Sequence, residues 1–222
     1  MSVALIVGAG PGISAAFAEA LVANGYQVAL ASRNLENLSP LARKMNAKAF
    51  AADAASPASL VRLFSEVDVA LGEPEVVLFN PSDRIRGDLL TLDMQAAAAA
   101  IQTTAIGALV TAQEAARRML PKGRGSIFFT GATAGVKGFA RSSVFAMGKF
   151  AVRGLAQSLA RELGPKGIHV VHFVIDGGVV QGSEALDVLS PRAIARSYMA
   201  ALAQPPGAWS WELELRSHME PF

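Results

Sequence analysis

The amino-acid sequence predicts an α/β fold, in which a doubly wound parallel β-sheet carries helices on both faces. Short β-branched apolar runs alternate along the chain with longer stretches rich in Ala and Leu, which is the order expected of βαβ units. The short runs are apolar at nearly every position, as is typical of strands buried on both faces of a parallel sheet. The length of 222 residues suits one large domain, and we expect residues 1–222 to form a single domain.

Each apolar run gives one expected strand, and each Ala- and Leu-rich stretch gives one expected helix. The predicted strands are Val3–Val7, Gln27–Ala31, Lys48–Ala51, Val76–Phe79, Ser126–Phe129, His169–Ile175 and Trp209–Leu215. The predicted helices are Ile13–Ala23, Ser59–Leu71, Met94–Met119, Ser143–Leu163 and Pro191–Leu202. The last helix opens with Ser190 as N-cap and proline at the first helical position. It ends where Pro205-Pro206-Gly207 begins.

Composition argues against several classes of function. The net charge of +2 is small and no Lys/Arg cluster concentrates it, so no nucleic-acid partner is expected. The absence of cysteine excludes disulfides and thiolate metal sites. The first residues lack a basic segment and no long uninterrupted apolar stretch occurs, so we expect no signal peptide, no membrane partner and a cytoplasmic location. His169 and His172 should face opposite sides of one strand, with one side chain packed against the protein and the other solvated. His218 lies near the end of the sequence. No metal site is therefore expected.

A glycine-rich turn follows the first predicted strand directly. Glycines at this point let the backbone bend sharply and approach a pyrophosphate, which binds to free N–H groups at the start of the next helix. An ordinary strand-to-helix loop is the alternative, but the position after the first strand favours a nucleotide. The residues expected to contact it are Gly8, Gly10, Pro11, Gly12 and Ile13.

The end of the second predicted strand indicates which nucleotide. A site for NAD(H) usually has an acidic residue here, which accepts hydrogen bonds from the ribose 2′-hydroxyl. The sequence instead reads Ser32-Arg33-Asn34, and a guanidinium can bind the 2′-phosphate that a carboxylate would repel. We therefore expect NADP(H) rather than NAD(H), contacted by these three residues. A solvated surface arginine is the alternative.

Counted from Gly8, the spacing G-x-x-x-G-x-G resembles that of the short-chain dehydrogenase/reductase (SDR) family, with Ser14 in place of the third glycine. The resemblance extends to the last predicted strand and implies a Rossmann-type fold. It also implies cofactor contacts at Asp53, Ala54, Asn80, Pro81, Ser82, Gly177 and Val179. The family motif after the fourth strand is Asn-Ala-Gly, of which only the asparagine is kept.

The same resemblance locates a catalytic site from which most of the family's groups are missing. Gly125, Gly135 and the segment from Lys149 to Leu155 anchor an alignment that puts Lys149 on the family lysine. This lysine holds the nicotinamide ribose and lowers the pKa of the catalytic tyrosine. The positions of the family's tyrosine, serine and asparagine are occupied by Phe145, Ala132 and Thr104.

Lys149 is therefore the one catalytic residue that the resemblance carries over, and other groups would have to supply the missing chemistry. The candidates are Lys149 itself, Thr133, Arg141, Ser142, Ser143 and Asp176. Apart from Lys149, each has a structural interpretation as a turn residue, a helix-capping serine or a surface charge. The only tyrosines, Tyr26 and Tyr198, are distant in sequence.

Three functions follow as hypotheses. The first is an NADP(H)-dependent oxidoreductase of atypical mechanism that acts on a small carbonyl compound, an alcohol or an activated alkene, with residues 180–189, including Glu184 and Asp187, near the substrate. The second is a catalytically silent NADP(H)-binding sensor or interaction module. The third is a structural subunit of a hetero-oligomer.

The family forms homodimers or homotetramers, and the same is expected here. One apolar stripe along the predicted helix Ser143–Leu163 suits either a subunit interface or packing on the sheet; it consists of Phe145, Val152, Leu155, Leu159 and Leu163.

Overall fold

All seven strands belong to one parallel sheet. The structure is a computed structural model that describes residues 1–182 and 187–219. The order across the sheet is β3-β2-β1-β4-β5-β6-β7, with every neighbouring pair parallel. The strands are β1 (Val3–Val7), β2 (Gln27–Ser32), β3 (Lys48–Ala51), β4 (Val76–Phe79), β5 (Gly125–Thr130), β6 (Ile168–Asp176) and β7 (Glu212–Arg216). The predicted doubly wound Rossmann-type α/β fold is confirmed, and its switch point lies between β1 and β4, where such sheets bind ligands.

Helices cover both faces of the sheet. They are α1 (Ile13–Ala23), α2 (Leu35–Lys44), α3 (Pro57–Ala70), α4 (Met94–Ile101), α5 (Gly107–Met119), α6 (Ser143–Leu163) and α7 (Pro191–Leu202). Alternate residues of β1 enter two separate apolar cores, one shared with α3, α5 and α6 and the other with α1, α2 and α7. The alternation explains why the strand sequences are apolar throughout.

Helix α2 has no counterpart among the helices expected from the sequence. Asn34 is its N-cap, and the Asn34 side chain accepts a hydrogen bond from the Asn37 amide. Leu38 and Ala42 are buried against the second core, while Pro40 lies inside the helix. The helix connects β2 to β3, and parallel neighbours need such a crossover.

The long helix predicted over Met94–Met119 is continuous but not uniform. Residues Gln102–Ile106 form a turn of π-helix between α4 and α5, a local widening that is frequent at functional sites. By length and composition alone, the helical stretch Met94–Lys122 could cross a membrane. In this fold one of its faces instead packs on the protein, since Ala100, Ala108 and Ala112 are buried.

The prediction that one histidine of β6 faces solvent is wrong. Both rings are buried, because β7 covers the edge of β6 and both faces of the sheet are packed. The His169 ring stacks on Trp209 with the centroids 4.7 Å apart. His172 Nδ1 lies 3.0 Å from Glu212 Oε2, and burial lowers the pKa of both imidazoles. Trp209 precedes β7, which begins at Glu212 rather than at the predicted position.

Candidate nucleotide and catalytic site

The turn between β1 and α1 has the backbone of a phosphate cradle. Gly8 has a positive φ of 77°, and a Cβ there would lie 2.6 Å from Cγ of Pro81, so this position requires glycine. Gly10 and Gly12 face open space, where an added Cβ would meet no heavy atom within 4 Å. Gly12 is the N-cap of α1 and offers no capping side chain, which leaves the first amides of the helix free for an anion.

Hydrogen bonds hold this turn in place from three sides. The amides of Gly8 and Ala9 both donate to the carbonyl of Ala31 at 2.9 Å. The Gly8 carbonyl accepts from Asn80 Nδ2 at 3.1 Å and from Ser14 Oγ at 3.2 Å. Ser14, which replaces the third glycine of the family motif, therefore contributes a hydrogen bond that glycine cannot make. The turn fits a dinucleotide phosphate.

A cavity of about 220 Å³ opens beside the turn, at the carboxyl ends of β1, β2 and β3. Its walls include seven of the residues that the sequence predicts for the cofactor: Gly8, Ser32, Arg33, Asp53, Ala54, Pro81 and Ser82. Arg33 is exposed and has no ion-pair partner in the described part of the chain. Asp53 Oδ1 accepts from the Ala55 amide at 3.0 Å, which fixes that loop. The cavity suits the adenosine end of a dinucleotide with a 2′-phosphate.

Some predicted cofactor residues lie outside the walls of the cavities described here. Gly10, Pro11 and Gly12 belong to the turn itself. Asn34 is the N-cap of α2, so its side-chain oxygen already has a structural role. These assignments stay predictions.

A second cavity, of about 570 Å³, continues from the turn toward α6. It brings together Ile13, Asn80, Ser82, Gly177 and Val179, all predicted for the cofactor, with Lys149, Phe145 and Ala132. A third cavity of about 530 Å³ adjoins it and shares Ala132, Thr133 and Phe145. Three of the four positions that the sequence aligns with the family's catalytic site therefore meet in one space, and Phe145 and Ala132 lack the two hydroxyls expected there.

Lys149 is the buried ionisable group that lines the second cavity, whose wall also contains Arg84 and Lys137. Its side chain is buried, and Nζ donates to the Thr130 carbonyl at 2.8 Å. Burial, aided by the positive charge of Arg84, lowers the pKa of Lys149 from 10.5 to about 8. An ammonium with such a pKa releases its proton near neutral pH far more readily than an ordinary lysine.

Thr104 and Asp176 have structural roles. Thr104 lies in the π-turn, and its Oγ1 accepts from the Asp83 amide at 3.2 Å. Asp176 is 7 % exposed, accepts from Thr133 Oγ1 at 2.5 Å and lies 3.5 Å from Arg216. The cavity wall contains Thr133 and not Asp176, so Asp176 positions the threonine.

The serines at the start of α6 do not match their structural interpretation. Ser142 is the N-cap, yet its side chain makes no capping hydrogen bond, so the expectation of a helix-capping serine is wrong at this position. Ser142 is 7 % exposed and lines the third cavity, whereas Ser143 is exposed outside it. Of the substrate-contacting segment expected at residues 180–189, residues 183–186, including Glu184, lie outside the described residues.

Tyr198 is nearer to the catalytic lysine than the sequence suggests. Its hydroxyl lies 3.0 Å from Thr130 Oγ1, and the carbonyl of the same threonine accepts from Lys149. Tyr198 is nevertheless fully buried on the other face of the sheet, stacked 3.9 Å from Phe173, and burial raises its pKa above the ordinary value. It cannot replace the family tyrosine in contact with substrate.

Arg84 and Arg86 were missed at the sequence level, although both line the third cavity. The guanidinium of Arg84 lies over the ring of Phe145, 4.7 Å from its centroid. Both arginines follow Asn80 within six residues, at the carboxyl end of β4, where a ligand of a doubly wound sheet is expected. Their position after β4 is therefore the feature of the sequence from which both arginines could have been identified as site residues.

Comparison with known proteins gives one consistent result. A family model described as short chain dehydrogenase matches residues 2–187. The chain is 32 % identical over 174 residues to a 3-oxoacyl-[acyl-carrier-protein] reductase of Mus musculus, covering 76 % of this chain and 72 % of that protein. It is 33 % identical to a short-chain dehydrogenase from Rhodopseudomonas palustris of solved structure, with a TM-score of 0.87 over 97 % and 98 % of the two chains. An alcohol dehydrogenase from the archaeon Thermococcus sibiricus, solved with 5-hydroxy-NADP, shares the fold with a TM-score of 0.88 at 22 % identity, over 100 % of this chain and 98 % of that one.

Proposed function

Because the chain belongs to the short-chain dehydrogenase family of oxidoreductases, we propose that it is an NADP(H)-dependent oxidoreductase in which Lys149 replaces the family tyrosine as the proton donor. The substrate is a small carbonyl compound, or the matching alcohol in the reverse direction. One observation carries the proposal: the Lys149 ammonium lines the cavity beside Phe145 and Ala132, with a pKa lowered to about 8 by burial and by Arg84.

The residues that would hold the cofactor supply different parts of the binding energy. The free amides at the start of α1 and the open backbone at Gly10 and Gly12 suit the phosphates. The guanidinium of Arg33 suits a 2′-phosphate, which supports NADP(H) over NAD(H). The structure of the archaeal relative with an NADP derivative adds to this support. When bound, the nicotinamide supplies or accepts the hydride.

Lys149 supplies what the hydride alone cannot. Reduction of a carbonyl needs a proton at the oxygen as hydride reaches the carbon, and a positioned acid typically contributes about 10²–10⁴-fold in rate. The hydrogen bond to the Thr130 carbonyl fixes Nζ at the cavity wall. Phe145 and Ala132 leave the substrate oxygen without the family's two hydroxyl donors, and the buried Lys149 ammonium, whose pKa is lowered to about 8, is the acid that the geometry supports.

The pH dependence of turnover tests this assignment. A lysine that donates a proton must be protonated, so the reduction rate should be constant below the pKa of about 8 and fall about tenfold per pH unit above it. Lys149→Met should remove this dependence together with most of the turnover and should also weaken NADPH binding, whereas Lys44→Met, on the exposed end of α2, should change neither. A rate that is independent of pH from 6 to 10 in the unmutated protein would contradict the role of Lys149.

A second candidate function is NADP(H) binding without turnover. The observation that favours it is the loss of hydroxyls at Phe145 and Ala132 together with the engagement of the Thr104 hydroxyl by the Asp83 amide. Fluorescence titration with NADPH separates the two candidates when it is combined with a panel of ketones and aldehydes. Tight binding with no NADPH oxidation by any of them would favour the binding module.

We also propose that the protein forms a homodimer or a homotetramer. Leu109 on α5 and Met147 and Phe150 on α6 are 48 %, 62 % and 44 % exposed, although such side chains are usually covered. Light scattering after size exclusion should give twice or four times the chain mass of 23.1 kDa, and Phe150→Asp should lower it. A monomer in the unmutated protein would contradict this. The cytoplasmic location and the absence of nucleic-acid or membrane partners stay predictions.

A further inference from the structure

The third cavity is lined by cations. Arg84 and Arg86 reach it from the segment after β4, and Arg141 reaches it from the turn before α6. Lys137 and Lys149 line the adjoining second cavity. Among the residues that the structure describes, no aspartate or glutamate lines either cavity. This concentration of positive charge contrasts with a net charge of only +2 for the whole chain.

The charges of these arginines are only weakly engaged elsewhere in the protein, and Arg84 and Arg86 are exposed. Across residues 1–182 and 187–219, neither Arg84 nor Arg86 has an ion-pair partner. Arg141 lies 3.4 Å from Asp88, but these two side chains are 68 % and 63 % exposed, and such surface pairs contribute little. The Gly87 amide donates to the Arg141 carbonyl at 3.1 Å, which holds the two arginine-bearing segments together.

Phe145 gives one of these cations a fixed position. A guanidinium lying 4.7 Å over the ring centroid is attracted by the negative face of the aromatic ring. The residue that replaces the family tyrosine therefore acts as a platform for Arg84. It holds a positive charge over the face of the ring that stands in place of the family's phenol.

The start of α6 adds neutral hydrogen-bond donors to the same cavity. Ser142 is 7 % exposed and lines the cavity, and its hydroxyl has no hydrogen-bond partner among the described residues. Because no side chain caps this helix, the amides of its first turn are also free and carry the positive end of the helix dipole. The unpaired hydroxyl of a buried serine, beside free amides and guanidinium groups, completes a donor set that can bind an oxyanion.

We propose that this cavity, formed by Arg84, Arg86, Arg141 and Ser142, binds an anionic oxygen group of the substrate, a carboxylate or a phosphate. The substrate of the proposed reaction is then an anionic carbonyl compound, whose charged group enters the third cavity while its carbonyl lies toward Lys149 in the second. The identity of the substrate rests on the proposed function, whereas the binding of the anion does not.

Calorimetric titration of the NADP⁺-saturated protein tests the anion site without turnover, because the oxidised cofactor cannot reduce a ketone. The probes are 2-oxoglutarate, dihydroxyacetone phosphate and neutral dihydroxyacetone. The first two distinguish a carboxylate from a phosphate, and at least one should bind ten times more tightly than the neutral ketone. Its affinity should fall as salt rises.

Variants locate the binding. Arg84→Gln and Ser142→Ala should each weaken the preferred anion about tenfold or more, since each removes a donor to a charged group. Arg43→Gln, an exposed arginine on α2, should leave the affinity unchanged. If the protein does not bind NADP⁺, the same titration is made on the free protein with Arg33→Ala present, so that the adenosine cavity does not capture the phosphate probe.

The outcomes separate this inference from the proposed function. Equal affinity for the neutral and anionic probes, or an anion affinity that Arg84→Gln leaves unchanged, would overturn the anion site whatever the enzyme does. Anion binding that depends on Arg84, in a protein that never oxidises NADPH, would support the anion site and overturn the oxidoreductase.

Discussion

The two ends of the ligand cleft differ in how they are built. At the nucleotide end, the groups expected to bind phosphate are backbone amides in the turn after β1, and the side chains of Asn80 and Ser14 donate hydrogen bonds that hold that turn in place. At the catalytic end, the important groups are side chains that line the cavities, and Phe145 and Ala132 stand where the family has hydroxyls. A phosphate cradle made of backbone tolerates side-chain changes, whereas acid–base chemistry can be lost with a single atom. The two ends of one cleft can therefore diverge at different rates.

The largest effect is expected when the two missing hydroxyls of the catalytic end are restored and the nucleotide end is left unchanged. On simple ketones, aldehydes and secondary alcohols we expect turnover of the unmutated protein at least about 10³-fold below a typical kcat of about 10 s⁻¹. Phe145→Tyr combined with Ala132→Ser should raise ketone reduction by about 10²–10⁴-fold, measured as NADPH oxidation. Lys149 is already placed to lower the pKa of the new phenol.

The matched control for this prediction replaces Ala132→Ser by Ala140→Ser, on the exposed part of the same cavity wall. It should give a smaller gain, because the serine is then not at the family position. Rapid reduction of ordinary ketones by the unmutated protein would contradict the contrast between the two ends, because the catalytic end would then have kept its acid–base chemistry.

The second prediction concerns the cost of keeping Lys149 buried. A pKa lowered from 10.5 to about 8 corresponds to about 3 kcal/mol at neutral pH. Lys149→Met removes this cost and leaves the Thr130 carbonyl unpaired, which costs about 1 kcal/mol. The free energy of unfolding at pH 7 should therefore rise by about 2 kcal/mol in urea denaturation.

The direction in which the free energy of unfolding changes with pH tests whether the buried Lys149 ammonium is the cause. Below pH 8 the folded protein contains the buried ammonium and bears the full cost. Between about pH 8 and the unfolded value of 10.5, the unfolded chain binds the proton and the folded one does not, so stability of the unmutated protein rises with pH. The advantage of Lys149→Met should shrink over this window. A constant advantage, or one that Lys44→Met also shows, would exclude burial of charge as the cause.

A pair of glycine substitutions separates the folding role of the nucleotide turn from its binding role. Gly8→Ala places a Cβ 2.6 Å from Pro81 at a positive φ and should destabilise the protein by about 2 kcal/mol or more, since the left-handed backbone alone costs about 1–2 kcal/mol. Gly10→Ala meets open space and should change stability by less than about 0.5 kcal/mol while weakening NADPH binding. Similar thermal unfolding of both variants would contradict the distinction.

The last prediction concerns a single side chain at the edge of the nucleotide end, whose loss should change the choice of cofactor and not the fold. Arg33→Ala should remove most of the preference for NADPH over NADH, a loss of about 1–3 kcal/mol for a charged hydrogen bond. NADH affinity should stay the same, and Arg43→Ala should change neither cofactor. Equal affinity of the unmutated protein for NADPH and NADH would contradict the assignment of the 2′-phosphate to Arg33.

The sequence predicts the sheet better than it predicts its surroundings. Continuous apolar runs specify buried parallel strands, so β1 and β4 begin and end where expected. Helix α2 was not predicted, because Ser39 and Pro40 interrupt its helical pattern of apolar residues. Two features of the sequence could have indicated it: the crossover needed between parallel strands, and Asn34 as a possible N-cap. The burial of both histidines was not predicted either. The alternation of side chains along a strand shows which face each histidine is on, but not what packs against that face.

At the candidate site, sequence reasoning locates positions but not partners. Aligned spacing is enough to bring Lys149, Phe145 and Ala132 together. Spacing cannot give the stacking of Arg84 on Phe145, which joins segments 61 positions apart in the sequence. It also cannot show that the Ser142 hydroxyl is left without a capping bond. Both depend on how loops from different strands meet at the edge of the sheet.

The contact between His172 and Glu212 makes part of the sheet depend on the last strand to be synthesised. The carboxylate of Glu212 also accepts hydrogen bonds of 2.7 Å from Arg153 of α6, so one residue of the last strand partners two basic side chains of earlier elements. Glu212 follows His172 by 40 positions, which a ribosome translating about 5–20 residues per second covers in roughly 2–8 s. During that interval β6 has an open edge and the guanidinium has no carboxylate. A released chain truncated before Glu212 should therefore be cleaved by a protease near β6, whereas the chain that includes β7 should resist cleavage there.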